Sequence, residues 1–259
     1  MSGTRIFCNQ IISVTDWNHD YVTVPSVLES QSPLPTLACF DLLNPLDNSG
    51  HGYTVSPGGG QVRDWGLHYE DGALPSKTDF SKSGQGAVSF ITAFKLSALS
   101  RYTNIISNRV AGGGFNLYFN NGLYMSVIYP SGNTVIVDEG GVIMPEVDKW
   151  YVAAGIFDPA NNNVRVQFSD LGVQVGSIGT TFPPNASLIE PLMIGGATTG
   201  VTTSSMTGDI AFVALYDGAF TLAQREAMVV VGQEVLRERG LICKRRLSTV
   251  WQILIFLRG

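Results

Sequence analysis

Two segments of the chain, 150–157 and 164–169, decide the fold: they read WYVAAGIF and VRVQFS, with DPANNN between them. In the second segment Val164, Val166 and Phe168 alternate with polar residues, which is typical of a strand with one buried face and one wet face. The intervening proline and asparagines favour a tight turn, because proline restricts φ and asparagine tolerates left-handed φ. The stretch therefore predicts an antiparallel hairpin.

Further strands are predicted on both sides of this hairpin. Residues 87–96 alternate over ten positions and are expected to form a central strand. Asn121-Gly122 separates the alternating segments 115–119 and 123–129, and this dipeptide is typical of a two-residue hairpin turn. Other strands are expected at 36–41, 134–138 and 173–175.

A single helix is predicted near the end of the chain. Thr221 and Gln224 have the spacing of a capping box, in which each side chain bonds the other residue's backbone amide. The helix is expected to run to about Arg239, because Gly240 can adopt the left-handed conformation that ends helices.

The order of these segments resembles the laminin-G-like branch of the concanavalin A-like lectin and glucanase superfamily. The features that carry the resemblance are Trp150 opening a strand, Asp170-Leu171-Gly172, Ile194-Gly195-Gly196, and GDIAFVALYD at 208–217 before the helix. The resemblance extends over residues 36–240 and implies an all-β, two-sheet antiparallel jelly roll with one C-terminal helix. The strand alternation independently favours stacked sheets.

The chain is accordingly divided into an N-terminal arm or linker (1–35), the sandwich (36–240) and an apolar docking tail (241–259). Prolines at 25, 33 and 35 predict an extended linker. In the tail, seven of the eight residues from 250 to 257 are apolar, which predicts burial against a neighbouring subunit or the chain's own sandwich. The residues expected to make this assembly contact are Trp251, Ile253, Ile255, Phe256 and Leu257.

Composition excludes several classes of partner and location. The net charge is −5, which argues against nucleic acid as a partner. Three scattered cysteines form neither a disulfide framework nor a metal motif, and free thiols are expected. The first ten residues lack a signal-peptide core, and no apolar run reaches the length of a membrane span.

The sequence predicts a protein without catalytic residues. Glucanases of the superfamily carry Glu-x-Asp-x-Glu along one strand, because retaining hydrolysis needs two carboxylates about 5 Å apart. Glu146 and Asp148 match the first two positions, but Trp150 stands at the third. Both acids are expected to be solvated turn residues. A polysaccharide hydrolase or lyase with dispersed catalytic residues remains the alternative.

Two kinds of binding site are predicted on loops and the hairpin. Oxygens of Asp158, Asn161, Asn163 and Asp170 are candidate calcium ligands, as in some laminin-G-like domains, although turn formation accounts for the same residues. Calcium is the one candidate cofactor. Tyr118, Asn121 and Tyr124 are the candidate ligand-binding residues, and Tyr118 and Tyr124 are expected to be exposed because they face away from the apolar residues of their hairpin. The aromatic residues considered for a sugar-stacking face are Trp65, Tyr69, Tyr102, Tyr118, Tyr124 and Tyr129, with core packing favoured for Trp65.

These features together predict a non-enzymatic, lectin-like adhesion or assembly module of a bacteriophage virion, assembled in the host cytoplasm. Proteins with this fold usually bind extracellular glycans, but this chain has no recognisable export signal. Phage proteins reach the outside of the cell by lysis and not by secretion, and free cysteines are consistent with assembly in the cytosol. The expected partners are other virion subunits or further copies of the chain, and a cell-surface glycan. A purely structural decoration protein is the second alternative.

Overall fold

The computed structural model describes residues 26–81, 86–99, 102–108, 114–128, 134–137, 142–161, 163–177, 191–197 and 204–242. Within them the helices are α1 (Val27–Ser30) and α2 (Leu222–Glu238), with a 3₁₀ turn at Pro159–Asn161. The strands are β1 (Thr36–Phe40), β2 (Val55–Ser56), β3 (Gln61–Arg63), β4 (Gly66–Tyr69), β5 (Ser76–Thr78), β6 (Val88–Leu96), β7 (Thr103–Ser107), β8 (Gly114–Phe119), β9 (Leu123–Ile128), β10 (Thr134–Val137), β11 (Trp150–Asp158), β12 (Asn163–Phe168), β13 (Gly172–Ser177), β14 (Met193–Ile194) and β15 (Gly208–Asp217).

These strands form two antiparallel sheets that stack as a jelly-roll sandwich. The eight-stranded sheet has the order β13-β12-β11-β6-β15-β4-β3, with β1 also paired to β15. The seven-stranded sheet has the order β10-β9-β8-β7-β14-β5-β2. The predicted fold class is confirmed, and β6 lies in the centre of its sheet, as its long alternating pattern indicated.

The main core lies between the two sheets and is built from the alternating apolar positions. Phe90 of β6 and Phe115 of β8 stack face to face across it, with ring centroids 5.2 Å apart. Val164, Val166 and Phe168 of β12 belong to the same core, so the alternation that predicted the hairpin also identified its buried face. Residues 158 and 163 pair at the end of that hairpin.

A second apolar cluster lies on the opposite face of the eight-stranded sheet, beneath α2. Ile91, Val152 and Phe212 approach Gly232 of α2 so closely that a Cβ there would lie 2.8–3.1 Å from their side chains. The helix therefore packs directly on the sheet at this position. The predicted capping box is confirmed: Gln224 N–H donates to Thr221 Oγ1, and Thr221 N–H donates to Gln224 Oε1.

The segment 26–35 differs from the extended linker that its prolines predicted. Ser26 Oγ accepts from the Leu28 amide and caps a four-residue helix. Leu28 is fully buried, and Tyr216 Oη donates to its carbonyl oxygen over 3.0 Å. A local serine cap and one buried side chain therefore hold this part of the arm against its own sandwich. The rest of the arm lies outside the described residues.

No helix in the part of the chain that the structure describes has the length and hydrophobicity needed to cross a membrane.

Candidate functional site

The outer faces of the two sheets differ. The outer face of the eight-stranded sheet is covered in part by α2, whereas the outer face of the seven-stranded sheet carries polar and aromatic side chains. Along β8, Phe115, Leu117 and Phe119 point into the core, so Asn116 and Tyr118 point outward. Along β9, Leu123, Met125 and Val127 point inward, so Tyr124 and Ser126 point outward. Period-2 alternation thus places chemically distinct sets of residues on the two faces.

Strand register arranges these outward residues in two rows, which we call the outer grid. The grid consists of Asn104, Tyr118 and Tyr124 in one row, and Ser107, Asn116 and Ser126 in the other. A bulge between Asn104 and Ile106 in β7 allows both Asn104 and Ser107 to face outward. All members except Tyr124 are buried.

Three tyrosine rings lie together at one edge of the outer grid. The ring centroid of Tyr118 is 5.1 Å from that of Tyr102 and 5.8 Å from that of Tyr124. Tyr102 and Tyr124 are half-buried, whereas Tyr118 is only 5% exposed because its ring lies between the other two. The expected exposure of Tyr118 is therefore wrong, although it does point away from the core.

The other aromatic residues considered for a sugar face lie elsewhere. Tyr69 is fully buried in the core, where its phenol oxygen lies 2.7 Å from Ser76 Oγ. Trp65 packs against the cluster beneath α2, on the opposite sheet, as its predicted core role requires. Tyr129 lies outside the described residues. Of the members of this set that the structure describes, only Tyr102, Tyr118 and Tyr124 are brought together.

Two asparagine side chains of the outer grid have acceptor oxygens without donors. Asn104 Nδ2 donates to the carbonyl oxygen of Ser204 over 3.0 Å, and Asn116 Nδ2 donates to Tyr102 Oη over 2.9 Å. Both residues are fully buried, and neither Oδ1 atom has a hydrogen-bond partner within the described structure. The sequence analysis missed both asparagines, although the spacing of Asn116 two positions before Tyr118 indicates a shared face.

The predicted turn at Asn121-Gly122 lies beside the ring of Tyr124. Asn121 has a φ of 53° and is exposed, and Gly122 has a φ of 158°. A Cβ added to Gly122 would lie 3.0 Å from Tyr124 Oη, so the turn packs against that phenol. The structure thus gathers Tyr118, Asn121 and Tyr124 at one end of the β8–β9 hairpin. Their role in binding stays a prediction.

The four candidate calcium ligands do not share one location. Asp158 accepts hydrogen bonds from the backbone and side chain of Asn161, and Asn163 Oδ1 accepts one from Arg165 Nε. Asp170 lies in the turn at the other end of β12, beyond Phe168, which pairs with Ala153. Five residues of β11 separate Ala153 from Asp158, which is about 17 Å. Asp158, Asn161 and Asn163 are brought together, whereas Asp170 is not.

No group of three His, Cys, Asp or Glu side chains that suits a metal ion occurs among the described residues.

The partial glucanase motif lies in the loop before β11, where both acids are exposed. Glu146 Oε1 accepts from Lys149 Nζ over 2.7 Å, and the Glu146 amide donates to Tyr151 Oη. Asp148 has a φ of 59°, which identifies it as a turn residue. The two side chains thus occupy a solvated rim, as expected, and do not alternate along a strand.

An ionic cluster that the sequence analysis missed lies on the outer face of the eight-stranded sheet. Asp209 Oδ1 accepts from Trp65 Nε1 over 3.1 Å and lies 2.8 Å from His68 Nδ1. Asp209 Oδ2 lies 2.8 Å from Lys95 Nζ. Both oxygens of this buried carboxylate have partners, so the cluster ties β4, β15 and β6 together.

The five tail residues predicted to mediate assembly, Trp251, Ile253, Ile255, Phe256 and Leu257, lie outside the described residues, as do Cys8 and Cys243. Cys39 is buried and free, as expected. Burial raises the pKa of its thiol well above the ordinary value, and the carboxylate of Asp41 raises it further.

A family model described as the concanavalin A-like lectin/glucanases superfamily, of the laminin-G type, matches residues 67–224, which is more than half of the chain. No curated protein sequence matches the chain.

Solved structures with similar folds include domain 4 of an extracellular GH43 arabinanase from Geobacillus stearothermophilus, solved in complex with arabinotriose. It has 14% sequence identity and a TM-score of 0.56, and the match covers 76% of this chain and 98% of that domain. The binding domain of botulinum neurotoxin serotype D has 12% identity and a TM-score of 0.59, with 82% of this chain and 54% of that chain covered.

A sialidase from Trypanosoma rangeli has 11% identity and a TM-score of 0.56, with 77% of this chain and 33% of that chain covered. This chain therefore spans about half of the toxin domain and a third of the sialidase. At these identities the likeness shows a common fold.

Proposed function

The chain belongs to the concanavalin A-like lectin/glucanases superfamily, and on that premise we propose that it is a non-catalytic module that binds a glycan on the outer face of its seven-stranded sheet. The observation that carries the proposal is the cluster of Tyr102, Tyr118 and Tyr124 beside the outward amides of Asn104 and Asn116.

This combination of side chains suits a sugar. The apolar C–H face of a pyranose or furanose packs on an aromatic ring, and phenol groups exchange hydrogen bonds with its hydroxyls. Tyr118 is held by a ring on each side, so little conformational entropy remains to be lost when a ligand contacts the cluster. Tyr102 and Tyr124 are half-buried and supply the accessible ring surface.

The comparison with solved structures supports a saccharide as the ligand class. The arabinanase domain, nearly all of which this chain covers, was solved with arabinotriose bound. The proposal for the present chain rests on its own residues, because a similarity at 14% identity supports a common fold but not a common binding site.

The test is a glycan array followed by isothermal titration calorimetry with the best-binding glycan. We expect Tyr124→Ala to weaken binding about 30-fold, because truncation of an aromatic anchor costs about 2 kcal/mol. Tyr53→Ala is the matched control: Tyr53 is also half-buried but packs edge-on against Phe80, at a ring distance of 5.2 Å and away from the outer grid. Equal affinities of the two variants would overturn the location of the site.

The proposal also states that the module does not cleave its ligand. Incubation of the bound polysaccharide with the protein is expected to release no reducing ends over the background. Turnover by the unaltered protein that is lost in Glu146→Gln would replace the proposal by the hydrolase alternative, because Glu146 is the first acid of the partial glucanase motif.

The setting that we propose is a bacteriophage virion, with the module assembled in the host cytoplasm and attached to other virion subunits or to copies of itself. The apolar tail at 250–257 supports attachment to a partner, because exposing its seven apolar side chains would forfeit on the order of 10 kcal/mol of burial energy.

Deletion of residues 243–259 tests the attachment. We expect a chain with an unchanged circular dichroism spectrum that no longer forms oligomers or enters particles, as measured by light scattering and particle sedimentation. A charge-preserving control replaces Trp251 and Phe256 by serine and leaves Lys244, Arg245 and Arg246 in place. If the shortened chain keeps its oligomeric state and its melting temperature, the tail has no part in assembly.

A further inference from the structure

Two exposed apolar side chains lie at the hairpin end of the outer grid. Val142 is 61% exposed and Met144 is 51% exposed, whereas most large apolar side chains of the described residues are buried. A single exposed apolar residue is ordinary on a protein surface, but neighbouring ones mark contact sites. We call Val142 and Met144 the apolar patch.

Strand pairing places the apolar patch in line with the tyrosine rings. The Leu123 amide donates to the carbonyl oxygen of Ile143 over 2.7 Å, and the two residues form an antiparallel bridge. Both side chains belong to the core between the sheets, so Val142 and Met144 point to the outer face. In this register Val142 lies opposite Tyr124 and extends the first row of the outer grid by one position.

Gly122 allows the patch and the rings to approach each other. A Cβ at this glycine would lie 2.8 Å from Val142 Cγ1 and 3.0 Å from Tyr124 Oη. The valine methyl group and the phenol are therefore neighbours on one surface, and a ligand that packs on the ring of Tyr124 also reaches the apolar patch.

The patch and the rings suit different parts of a ligand. The ring of Tyr124 takes the C–H face of a sugar, and its phenol exchanges hydrogen bonds with the hydroxyls. A sugar hydroxyl placed against the valine methyl groups would lose water without gaining a hydrogen bond from that side chain. A methyl group placed there leaves water for an apolar contact, which is favourable.

The size of the patch also restricts its occupant. A stable protein interface buries about 800 Å² on each partner and involves roughly 20–30 residues. Two aliphatic side chains beside a ring instead match one small apolar group. Resting on the proposed function, we infer that the ligand is a saccharide with a methyl-bearing substituent, an acetyl, methyl or 6-deoxy group, which packs on Val142 and Met144 while the sugar ring packs on Tyr124.

The experiment compares saccharides that differ only in this substituent. Isothermal titration calorimetry measures chitotriose against cellotriose, which lacks the acetamido groups, and acetylated xylotriose against the same sugar after alkaline removal of its acetyl esters. We expect the substituted member to have a Kd about fourfold lower or better, because burial of one methyl-sized group has roughly this effect.

The outcomes distinguish this inference from the proposed function. Equal Kd values within a bound pair overturn the inference and leave glycan binding intact. The same holds if the best-binding saccharide of the array carries no methyl-bearing substituent. Absence of binding to any saccharide on the array removes the proposed function itself.

Substitutions in the patch locate the contact. Val142→Thr and Met144→Gln keep the size of each side chain and add a polar group, and melting temperature establishes that each variant is folded. With the best-binding substituted saccharide of the array, we expect each variant to raise the Kd about fourfold, because the buried methyl group loses its apolar contact. Binding of the unsubstituted member of the pair should not change.

Val230→Thr is the matched control, because Val230 is 48% exposed but lies on α2, which packs against the other sheet. Tyr124→Ala is expected to weaken both members of a pair, since its ring contacts the sugar and not the substituent. If Val142→Thr and Met144→Gln bind the substituted saccharide as tightly as the unaltered protein does, the apolar patch is not part of the site.

Discussion

Replacement of Arg239 by alanine is expected to lower the free energy of unfolding by about 3–5 kcal/mol, because breaking a buried ion pair leaves its partner uncompensated. Arg239 follows the last turn of α2, and its Nη1 atom lies 2.7, 3.0 and 3.2 Å from the carbonyl oxygens of Ala211, Trp65 and Asp41. Its Nη2 atom lies 3.4 Å from Asp41 Oδ1. One guanidinium thus joins the helix to three separate parts of the eight-stranded sheet.

The need for this residue arises from the backbone of β15. The register of β15 against β6 shifts between Ile210 and Phe212, so Ala211 lies in a bulge. A bulged residue is left without its ladder partner, and the Ala211 carbonyl uses Arg239 as its donor. Burial raises the pKa of Asp41 and lowers the pKa of Arg239, while the opposite charge of each partner counteracts the shift of the other.

Chemical denaturation with guanidinium chloride measures the effect. Arg239→Lys should recover part of the lost stability, because lysine keeps the charge but has no second nitrogen with which to contact the Asp41 carboxylate while the first contacts the carbonyl oxygens. Arg63→Ala is the control, since Arg63 is exposed and its guanidinium contacts Gln61. A loss below about 1 kcal/mol for Arg239→Ala would show that the carbonyls find other donors.

Local patterns were sufficient to predict much of the fold. The alternation in 164–168, the Asn121-Gly122 turn and the capping box of Thr221 and Gln224 each depend on residues close in sequence. Because each pattern depends only on neighbouring residues, the local geometry that it predicts is retained in the folded sandwich. The resemblance to a jelly-roll family then supplied the strand order that local patterns do not contain.

The candidate site could be predicted only in part, because its geometry depends on register between strands. Tyr118 and Tyr124 share one hairpin, and their common face follows from alternation. Asn104 joins them through a strand that contains a bulge, and one inserted residue reverses every later side chain. Tyr102 comes from the segment before that strand. No spacing rule in the sequence indicates that its phenol contacts Asn116.

Burial of Tyr118 was missed for a related reason. A residue that points away from the core of a sandwich is exposed only if the side chains next to it on the outer face do not cover it. Here the flanking rings of Tyr102 and Tyr124 cover it. The same limitation applies to Asp209, whose partners come from β4 and β6 and are distant in sequence.

Replacement of Gly208 by alanine is expected to destabilise the protein by about 3–5 kcal/mol, although it adds a single methyl group. Gly208 opens β15 with a φ of +143°, a conformation that side chains rarely adopt. A Cβ at this position would lie 2.1 Å from the carbonyl oxygen of Lys95 and 3.1 Å from the Cα atom of Leu96. Both are backbone atoms of the central strand, which cannot move without disturbing its ladder.

Two costs therefore add at Gly208. Backbone strain in this region costs about 1–3 kcal/mol, and overpacking against a rigid neighbour costs a further 1–3 kcal/mol or so. Gly72→Ala separates the cost of backbone strain from the cost of overpacking. Gly72 has a φ of +73°, but nothing lies within 4 Å of an added Cβ, so this variant has the backbone strain without the overpacking. We expect Gly72→Ala to lose about 1 kcal/mol.

The two variants are compared by guanidinium chloride unfolding, with near-ultraviolet circular dichroism as a report on Trp65, whose indole donates to Asp209 next to Gly208. Gly208→Ala should change the aromatic spectrum as well as the midpoint, because displacement of β15 moves the carboxylate away from the indole. If both variants lose the same small amount of stability, the approach of β15 to Lys95 is not close enough to require glycine, and the register of the central pair is less rigid than its nine paired residues indicate.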